Sequence, residues 1–79
     1  MTTTEWVETS KGNQVYRHDD GEILATVFRN KVGIWQIIIN KDKFGRLVAD
    51  EYYEDIDNAI ERTEAIVDGA PCQLLPPRF

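Results

Sequence analysis

Residues 21–40, GEILATVFRNKVGIWQIIIN, hold most of the residues in this chain that favour β-strands. Two β-rich runs, Ile23–Arg29 and Ile34–Ile39, flank a short polar link at 30–33 that contains a glycine. Runs of β-branched and aromatic residues are typical of strands, and a short glycine-containing link between two such runs is typical of a hairpin. The stretch therefore predicts a β-hairpin on which the rest of the sheet is assembled.

Shorter β-rich segments on both sides predict further strands of the same sheet. Asp20-Gly21 directly before the hairpin is a strong signal for a tight turn between two strands. A second glycine-containing turn is expected at 41–45. Because every link is short, the strands should form an antiparallel meander of four to five strands. In chain order, the predicted strands are 5–9, 14–18, Ile23–Arg29, Ile34–Ile39 and 46–49, the last extending in part into 50–53.

One helix is predicted towards the C-terminal end, from Ile56 to Asp68. Asp55 is suited to cap its first turn through a side-chain oxygen, and Gly69 and Pro71 are suited to end it. The apolar side chains recur at steps of three and four residues, which is the period of one helix face. They are Ile56, Ala59, Ile60, Thr63, Ile66 and Val67. The predicted fold class is therefore α+β, an antiparallel β-meander with one C-terminal α-helix packed on one face.

Length and composition indicate one small domain. Of the 79 residues, we assign 1–70 to the sheet-and-helix domain and 71–79 to a tail in which three prolines argue against regular structure. Cys72 is the only cysteine, so the fold does not depend on a disulfide. No apolar run approaches the ~20 residues needed to span a membrane, and the N-terminus lacks a signal-peptide pattern. We expect a cytoplasmic protein.

The predicted hairpin is apolar on both faces, which one helix does not explain. Successive residues of a strand point to opposite faces, and in such a meander the face away from the helix is expected to be polar. Three alternatives are open for the second face. The first strand and the tail, with Leu74, Leu75 and Phe79, fold over it, a second copy packs there, or another protein binds there. For a homodimer, the expected contact residues are Leu24, Phe28, Trp35 and Ile37.

No group of residues predicts a catalytic or metal site. The densest set of potential ligands is His18, Asp19, Asp20 and Glu22, where turn geometry is the preferred explanation because a single histidine falls short of the usual transition-metal sets. Cys72 has no flanking cation in the sequence to activate its thiol. Phosphate-binding glycine loops, H-E-x-x-H and calcium loops do not occur in the sequence. We therefore expect no enzyme, no cofactor and no bound metal.

The net charge of −5 is concentrated in the second half of the chain. Residues 1–46 carry seven basic and six acidic side chains, whereas 47–79 carry eight acidic and two basic ones. Charge on an amphipathic helix is ordinarily a solvated face. The more specific hypothesis is a surface that presents carboxylates to a basic partner protein, with tyrosines as anchors. Its predicted residues are Asp50, Glu51, Tyr52, Tyr53, Glu54, Asp57, Glu61 and Glu64.

An alternative from another functional class is a small nucleic-acid-binding module that uses the basic end of the 22–46 hairpin. Trp35 and Phe44 would supply stacking surfaces for bases. The net charge of the chain and Asp42 within the basic run oppose this hypothesis. A third hypothesis is a structural subunit of a homo-oligomer. The candidate nucleic-acid-binding cations are Arg29, Lys31, Lys41, Lys43 and Arg46.

The order and character of these segments resemble a group of small phage-encoded proteins. A first strand with Trp6, the Asp20-Gly21 turn, the runs GEILATVF and GIWQIII, and an acidic helix that opens with D-x-D-N-A at Asp55 are similar to their β-meander-plus-helix layout. The group includes acidic inhibitors of bacterial defence, among them some anti-CRISPR proteins. The resemblance lies in size, layout and charge over residues 5–69. It implies a stoichiometric binder of a host protein.

Overall fold

In a computed structural model, the chain forms an antiparallel sheet with one α-helix packed on one face. The structure describes residues 3–41 and 45–75, and within them the sheet has six strands in chain order. The strands are β1 (Thr4–Glu8), β2 (Gln14–His18), β3 (Ile23–Arg29), β4 (Trp35–Lys41), β5 (Gly45–Tyr53) and β6 (Leu74–Leu75), and the helix is α1 (Ile56–Val67). The predicted α+β meander is confirmed, with one strand more than expected.

The turns around the central hairpin are formed by local hydrogen bonds of Asp and Asn side chains. Between β2 and β3, Asp20 Oδ1 accepts from the Glu22 backbone N–H at 2.9 Å, and Gly21 has a φ of 97°. Between β3 and β4, Asn30 Oδ1 accepts from the backbone N–H groups of Val32 and Ile34, both at 3.0 Å. Glycine adopts this positive φ at little cost, which is why the Asp-Gly signal located the first turn correctly.

Helix α1 begins and ends with the capping interactions that its sequence predicts. Asp55 Oδ1 accepts from the Asp57 backbone N–H at 3.0 Å, which satisfies a free donor of the first turn. At the other end, Ala70 N donates to Ala65 O at 2.9 Å. Gly69 N donates to Ile66 O at 3.0 Å, with φ of 108° at the glycine. This pair of bonds is a Schellman motif, and it ends the helix one residue earlier than predicted.

The hydrophobic core lies between α1 and the three strands β3, β4 and β5. The alanines at its centre lack bulky side chains, so they let the helix backbone approach the sheet closely. Thr63 is fully buried and satisfied, because its hydroxyl donates to Ala59 O at 2.7 Å. At the outer end of the sheet, the rings of Trp6 and Tyr16 stack with centroids 4.7 Å apart. The buried apolar residues are Ala25, Val27, Ile37, Ile39, Ala49, Ala59 and Ile66.

The sixth strand corrects the prediction that the tail has no regular structure. Leu75 pairs with Val48 and Leu74 with Ala49. Next to them, Asp50 N donates to Gln73 O at 2.9 Å. The strand of two residues contains no proline, so each of its residues keeps a backbone N–H for the ladder. The helix is therefore not the last element of the fold.

The edge position of β6 also bears on what covers the second face of the sheet. Leu74–Leu75 extends the sheet sideways beyond β5, and β1 extends it at the opposite edge beyond β2. Neither strand folds over the face away from α1. Phe79, the third residue expected to cover it, lies outside the described residues. Within the described part of the chain, no element packs on that face.

Candidate functional site

The outer side of α1 carries a row of exposed carboxylates, which we call the acidic face of α1. Its members are Asp57, Glu61, Glu64 and Asp68, the C-cap residue, and all four are exposed. Their spacing of four, three and four residues places them on one side of a helix. With a rise of about 1.5 Å per residue, the row extends over about 16 Å. Three of the predicted partner-binding residues therefore lie on one surface, together with Asp68.

Arg62 is the only cation in the sequence of α1, and it faces the sheet. Its guanidinium donates to both carboxylate oxygens of Glu51, through Nε at 2.8 Å and through a terminal nitrogen at 3.0 Å. That terminal nitrogen also donates to the carbonyl oxygen of Pro71 at 2.6 Å. A two-pronged guanidinium–carboxylate pair is the strongest form of this interaction. The positive charge of the helix is thus held away from the acidic face.

Glu51 is the centre of a polar cluster that joins β5, α1 and the segment before β6. In addition to Arg62, its carboxylate accepts from the Tyr53 hydroxyl and, at 3.1 Å, from the Cys72 thiol. These donors, above all Arg62, hold the pKa of Glu51 at about 2. Burial, reinforced by the hydrogen bond to Glu51, raises the pKa of Tyr53 to about 12 and that of Cys72 to about 11. The cluster thus favours an ionised carboxylate, a neutral phenol and a neutral thiol.

The chemistry of this cluster is suited to stabilising the contact between β5, α1 and the segment before β6. A thiolate is the nucleophilic form of cysteine, and a pKa near 11 keeps Cys72 protonated at neutral pH. Both oxygens of Glu51 are occupied by internal donors, and Tyr53 is half-buried beside it. Glu51 and Tyr53, predicted as partner-binding residues, are therefore half-buried and hydrogen-bonded within the fold.

The other predicted partner-binding residues lie on two further surfaces. Glu54 is exposed in the link between β5 and α1, next to the N-cap Asp55. Asp50 and Tyr52 are exposed on β5, and Tyr52 shows 62% of its surface. Since they alternate with Ala49 and Glu51, which face the helix, Asp50 and Tyr52 point to the other side of the sheet. The structure thus brings Glu54 near the start of the acidic face and separates Asp50 and Tyr52 from it.

We call the side of the sheet away from α1 the open face. The strand register aligns one residue from each strand in a central row across it. Every member except Thr26 is apolar, and each is half-buried or exposed. The row consists of Val7, Val15, Thr26, Ile38, Val48 and Leu75.

The predicted self-association residues fall on both sides of the sheet. Leu24 and Phe28 are half-buried and lie on the open face, because they alternate with the buried Ala25 and Val27. Trp35 and Ile37 lie on the side of α1, where Trp35 packs against the core and Ile37 is 0% exposed. Of the four, only Leu24 and Phe28 are on the face that the described residues leave uncovered.

The group around His18 forms the turn between β2 and β3. His18 Nε2 lies 3.9 Å from Glu22 Oε2, Asp20 caps the turn, and the Asp19 carboxylate accepts from the hydroxyl of Thr3 at 3.2 Å. Among the residues that the structure describes, no three His, Cys, Asp or Glu side chains are grouped so that they could hold a metal ion. No helix in 3–41 or 45–75 is long and apolar enough to cross a bilayer.

The cations expected to form one basic patch lie at opposite ends of the sheet. Arg29 ends β3 and Lys31 lies in the link to β4, whereas Arg46 is at the start of β5, close to the other end of β4. The side chain of Lys41 and residues 42–44, which include Lys43 and Phe44, lie outside the described part. Trp35 is half-buried and packs against the core, on the side of α1. The arrangement does not support the predicted basic patch.

The structural roles of two residues of this region were not predicted from the sequence. The sequence indicates only weakly that Arg62 faces the sheet. The residue precedes Thr63 of the apolar stripe and is the only base among the acids of α1. Nothing in the sequence indicates that Cys72 donates to Glu51, since 21 residues separate the two.

Comparison of the chain with family models, with curated proteins and with solved structures finds no match. We therefore infer its function from the charge and geometry of its own residues.

Proposed function

We propose that this chain is a non-enzymatic interaction protein that binds a basic surface of a host protein through the acidic face of α1. The observation that carries the proposal is the separation of charge on this helix. Carboxylates occupy its outer side, and its single cation, Arg62, is bound to Glu51 on the inner side. A surface of one sign attracts a partner surface of the opposite sign and speeds their encounter.

The acidic face is not explained by the stability of the helix. Asp57 and Glu61 are four residues apart, as are Glu64 and Asp68, and like charges at this spacing cost about 0.2–0.5 kcal/mol per pair. Glu64 and Asp68 also lie near the C-terminal end of α1, where the helix dipole favours cations, yet the last turn has no basic residue. Local arrangements that oppose stability are expected at functional surfaces.

The class of partner follows from the charge and from the layout of the chain. A carboxylate row about 16 Å long matches a basic groove of the kind that nucleic-acid-handling proteins present to a phosphate backbone. The resemblance in size, layout and charge to small phage-encoded inhibitors favours a phage or mobile-element origin. The protein would then inhibit a defence or nucleic-acid-handling complex of its host by occupying that groove.

The test is charge reversal on the acidic face, with a matched control elsewhere. Glu61→Lys/Glu64→Lys changes two exposed carboxylates of α1, and Glu8→Lys/Glu22→Lys changes two exposed carboxylates of the sheet by the same net charge. Host proteins captured on the immobilised wild-type chain are identified, purified and titrated against all three proteins. We expect the α1 variant to bind at least about tenfold more weakly, which corresponds to about 1.4 kcal/mol.

The control variant should bind the same partner with nearly the wild-type affinity, and circular dichroism should show all three proteins folded. Binding should also weaken as salt is raised, since exposed charges are screened. A partner that binds the α1 variant as tightly as the wild type would exclude the acidic face as its binding site.

A further inference from the structure

We infer that the open face is a homodimer interface, in which two copies pack face to face about a twofold axis that runs along the central row. The first observation is that this face is apolar across the full width of the sheet. The central row brings Val7, Val15, Ile38, Val48 and Leu75 together with Thr26, and no described element covers them. Burial of such a row against its own copy forms a sandwich of two aligned sheets.

The side chains on the two sides of the central row are complementary to each other. On β3 and β4 the flanking residues lie two positions before and two positions after the central residue. On β5, where the register shifts, they are Arg46, which pairs with Asn40, and Tyr52, which pairs with Gln36. A twofold axis along the row places each flanking residue opposite its counterpart on the same strand of the second copy. The three resulting pairs are Phe28 with Leu24, Gln36 with Asn40, and Tyr52 with Arg46.

Each of these pairs joins compatible chemistry. Phe28 meets the aliphatic Leu24. The Tyr52 ring meets the Arg46 guanidinium, a favourable cation–π pairing of two residues that are exposed in the single chain. Gln36 accepts from Asn30 through Oε1 at 3.3 Å, so its amide Nε2 can donate. Asn40 donates from Nδ2 to Ile23 O at 2.9 Å, so its Oδ1 can accept from Gln36 of the second copy. The same twofold operation thus satisfies an apolar, an amide and a cation–π pair.

The other twofold axis in the plane of the face, parallel to the strands, is less favourable. It would lay β2 of one copy over β5 of the other and bring Arg17 opposite Arg46. Arg17 already forms an ion pair with Glu5 at 3.0 Å. Arg46 of the second copy would therefore find no free carboxylate beside Arg17. Like charges directly opposed at an interface are destabilising. The chemistry of the face therefore selects the axis along the central row.

The size of the face is sufficient for a dimer. Six strands spaced by about 4.8 Å span about 24 Å, and strands of about six residues are about 20 Å long. The footprint is about 500 Å² per copy, or about 1,000 Å² for the pair, which reaches the lower bound of specific interfaces. An interface of this size predicts a dimer that dissociates on dilution.

This dimer leaves the acidic face free, because α1 lies on the opposite side of the sheet. Two acidic faces would then point outward from one particle. The inference rests on the open face alone and does not depend on the function proposed for α1.

The test is sedimentation of the full chain over loading concentrations from about 5 to about 500 μM, which covers the range of a weak dimer. The mass should rise from 9.1 kDa towards twice that value. Tyr52→Arg places two arginines opposite each other and should weaken the dimer at least about tenfold, and adding Arg46→Tyr should recover most of the loss. Ile38→Asp should give a folded monomer, as judged by circular dichroism.

Val32→Lys is the matched control, because Val32 is 81% exposed in the β3–β4 link, away from the open face, and its substitution should leave the dimer unchanged. A wild-type chain that stays at 9.1 kDa throughout overturns the inference. So does a dimer that tolerates Tyr52→Arg, or one that the added Arg46→Tyr fails to recover.

Discussion

Ile37 and Ile38 are neighbours on β4 with the same side chain, and they lie in opposite environments. Ile37 is 0% exposed beneath α1, whereas Ile38 is half-buried in the central row of the open face. The covered face combines branched residues with Ala25 and Ala49, and α1 places Ala59 against it, so the helix can approach closely. The central row of the open face is β-branched except for Leu75 and contains no alanine.

The difference separates two uses of apolar residues in one sheet. Residues on the covered face stabilise the single chain, because their burial is complete within it. Residues on the open face are shielded mainly by their neighbours on adjacent strands. Much of their surface can therefore be buried against another molecule. A small domain with one helix has a thin core, and an interface is the usual further source of stability.

The largest expected effect is on the covered face. Ile37→Ala removes a fully buried side chain and should lower the free energy of unfolding by about 2–5 kcal/mol. Ile38→Ala should cost no more than about 1 kcal/mol at concentrations where the chain is monomeric, because its site is already partly solvated. Urea unfolding of the two variants measures the difference.

If Ile37→Ala is unfolded, Ile37→Val and Ile38→Val give the same comparison at smaller scale, with about 0.5–1.5 kcal/mol expected for the former. Equal losses for the two positions would break the distinction between the faces. At concentrations where the open face is paired, the loss for Ile38→Ala should grow.

The second comparison uses acids that are neighbours on β5. Glu51 faces α1 and has its pKa lowered from the ordinary value of 4.5 to about 2 by Arg62. A lowered pKa in the folded state stabilises the protein fully above pH 4.5, and this contribution is lost as the pH falls towards 2. Glu51→Gln should therefore cost on the order of 2 kcal/mol at neutral pH and flatten the acid limb of stability.

Asp50→Asn is the matched control, because Asp50 is exposed on the open face. It should leave the acid limb nearly as in the wild type, as measured by urea unfolding from neutral pH down to pH 2. A Glu51→Gln protein that still loses stability over this range as steeply as the wild type would show that the carboxylate of Glu51 is not the group responsible.

The strands and the helix could be predicted because their signals are local. Runs of β-forming residues and the turn residues between them located Ile23–Arg29 and Gln14–His18, and the apolar period with Asp55 and Gly69 located α1. The strand Leu74–Leu75 could not be found in this way. Two leucines between prolines carry no alternation, and their pairing with Val48 and Ala49 depends on where α1 returns the chain.

The candidate site was predictable only as far as its residues lie on one periodic element. The spacing of Asp57, Glu61 and Glu64 already places them on one helix side. The sequence alone does not distinguish Glu51 from these acids, because its bond to Arg62 joins a strand to the helix and depends on tertiary packing. The complementarity of the open face required the register, because a shift of one residue would exchange its two sides.

The smallest expected effect on the free energy of unfolding concerns the N-cap of α1, the helix that covers one face of the sheet. The Asp55 side chain accepts from the Asp57 backbone N–H at 3.0 Å, and Asp55→Ala should cost about 1 kcal/mol in urea unfolding. Asp55→Asn removes the same negative charge but keeps a side-chain acceptor, so it should cost only a few tenths of that amount. Equal losses for the two variants would assign the effect to the charge at the helix N-terminus instead of the hydrogen bond.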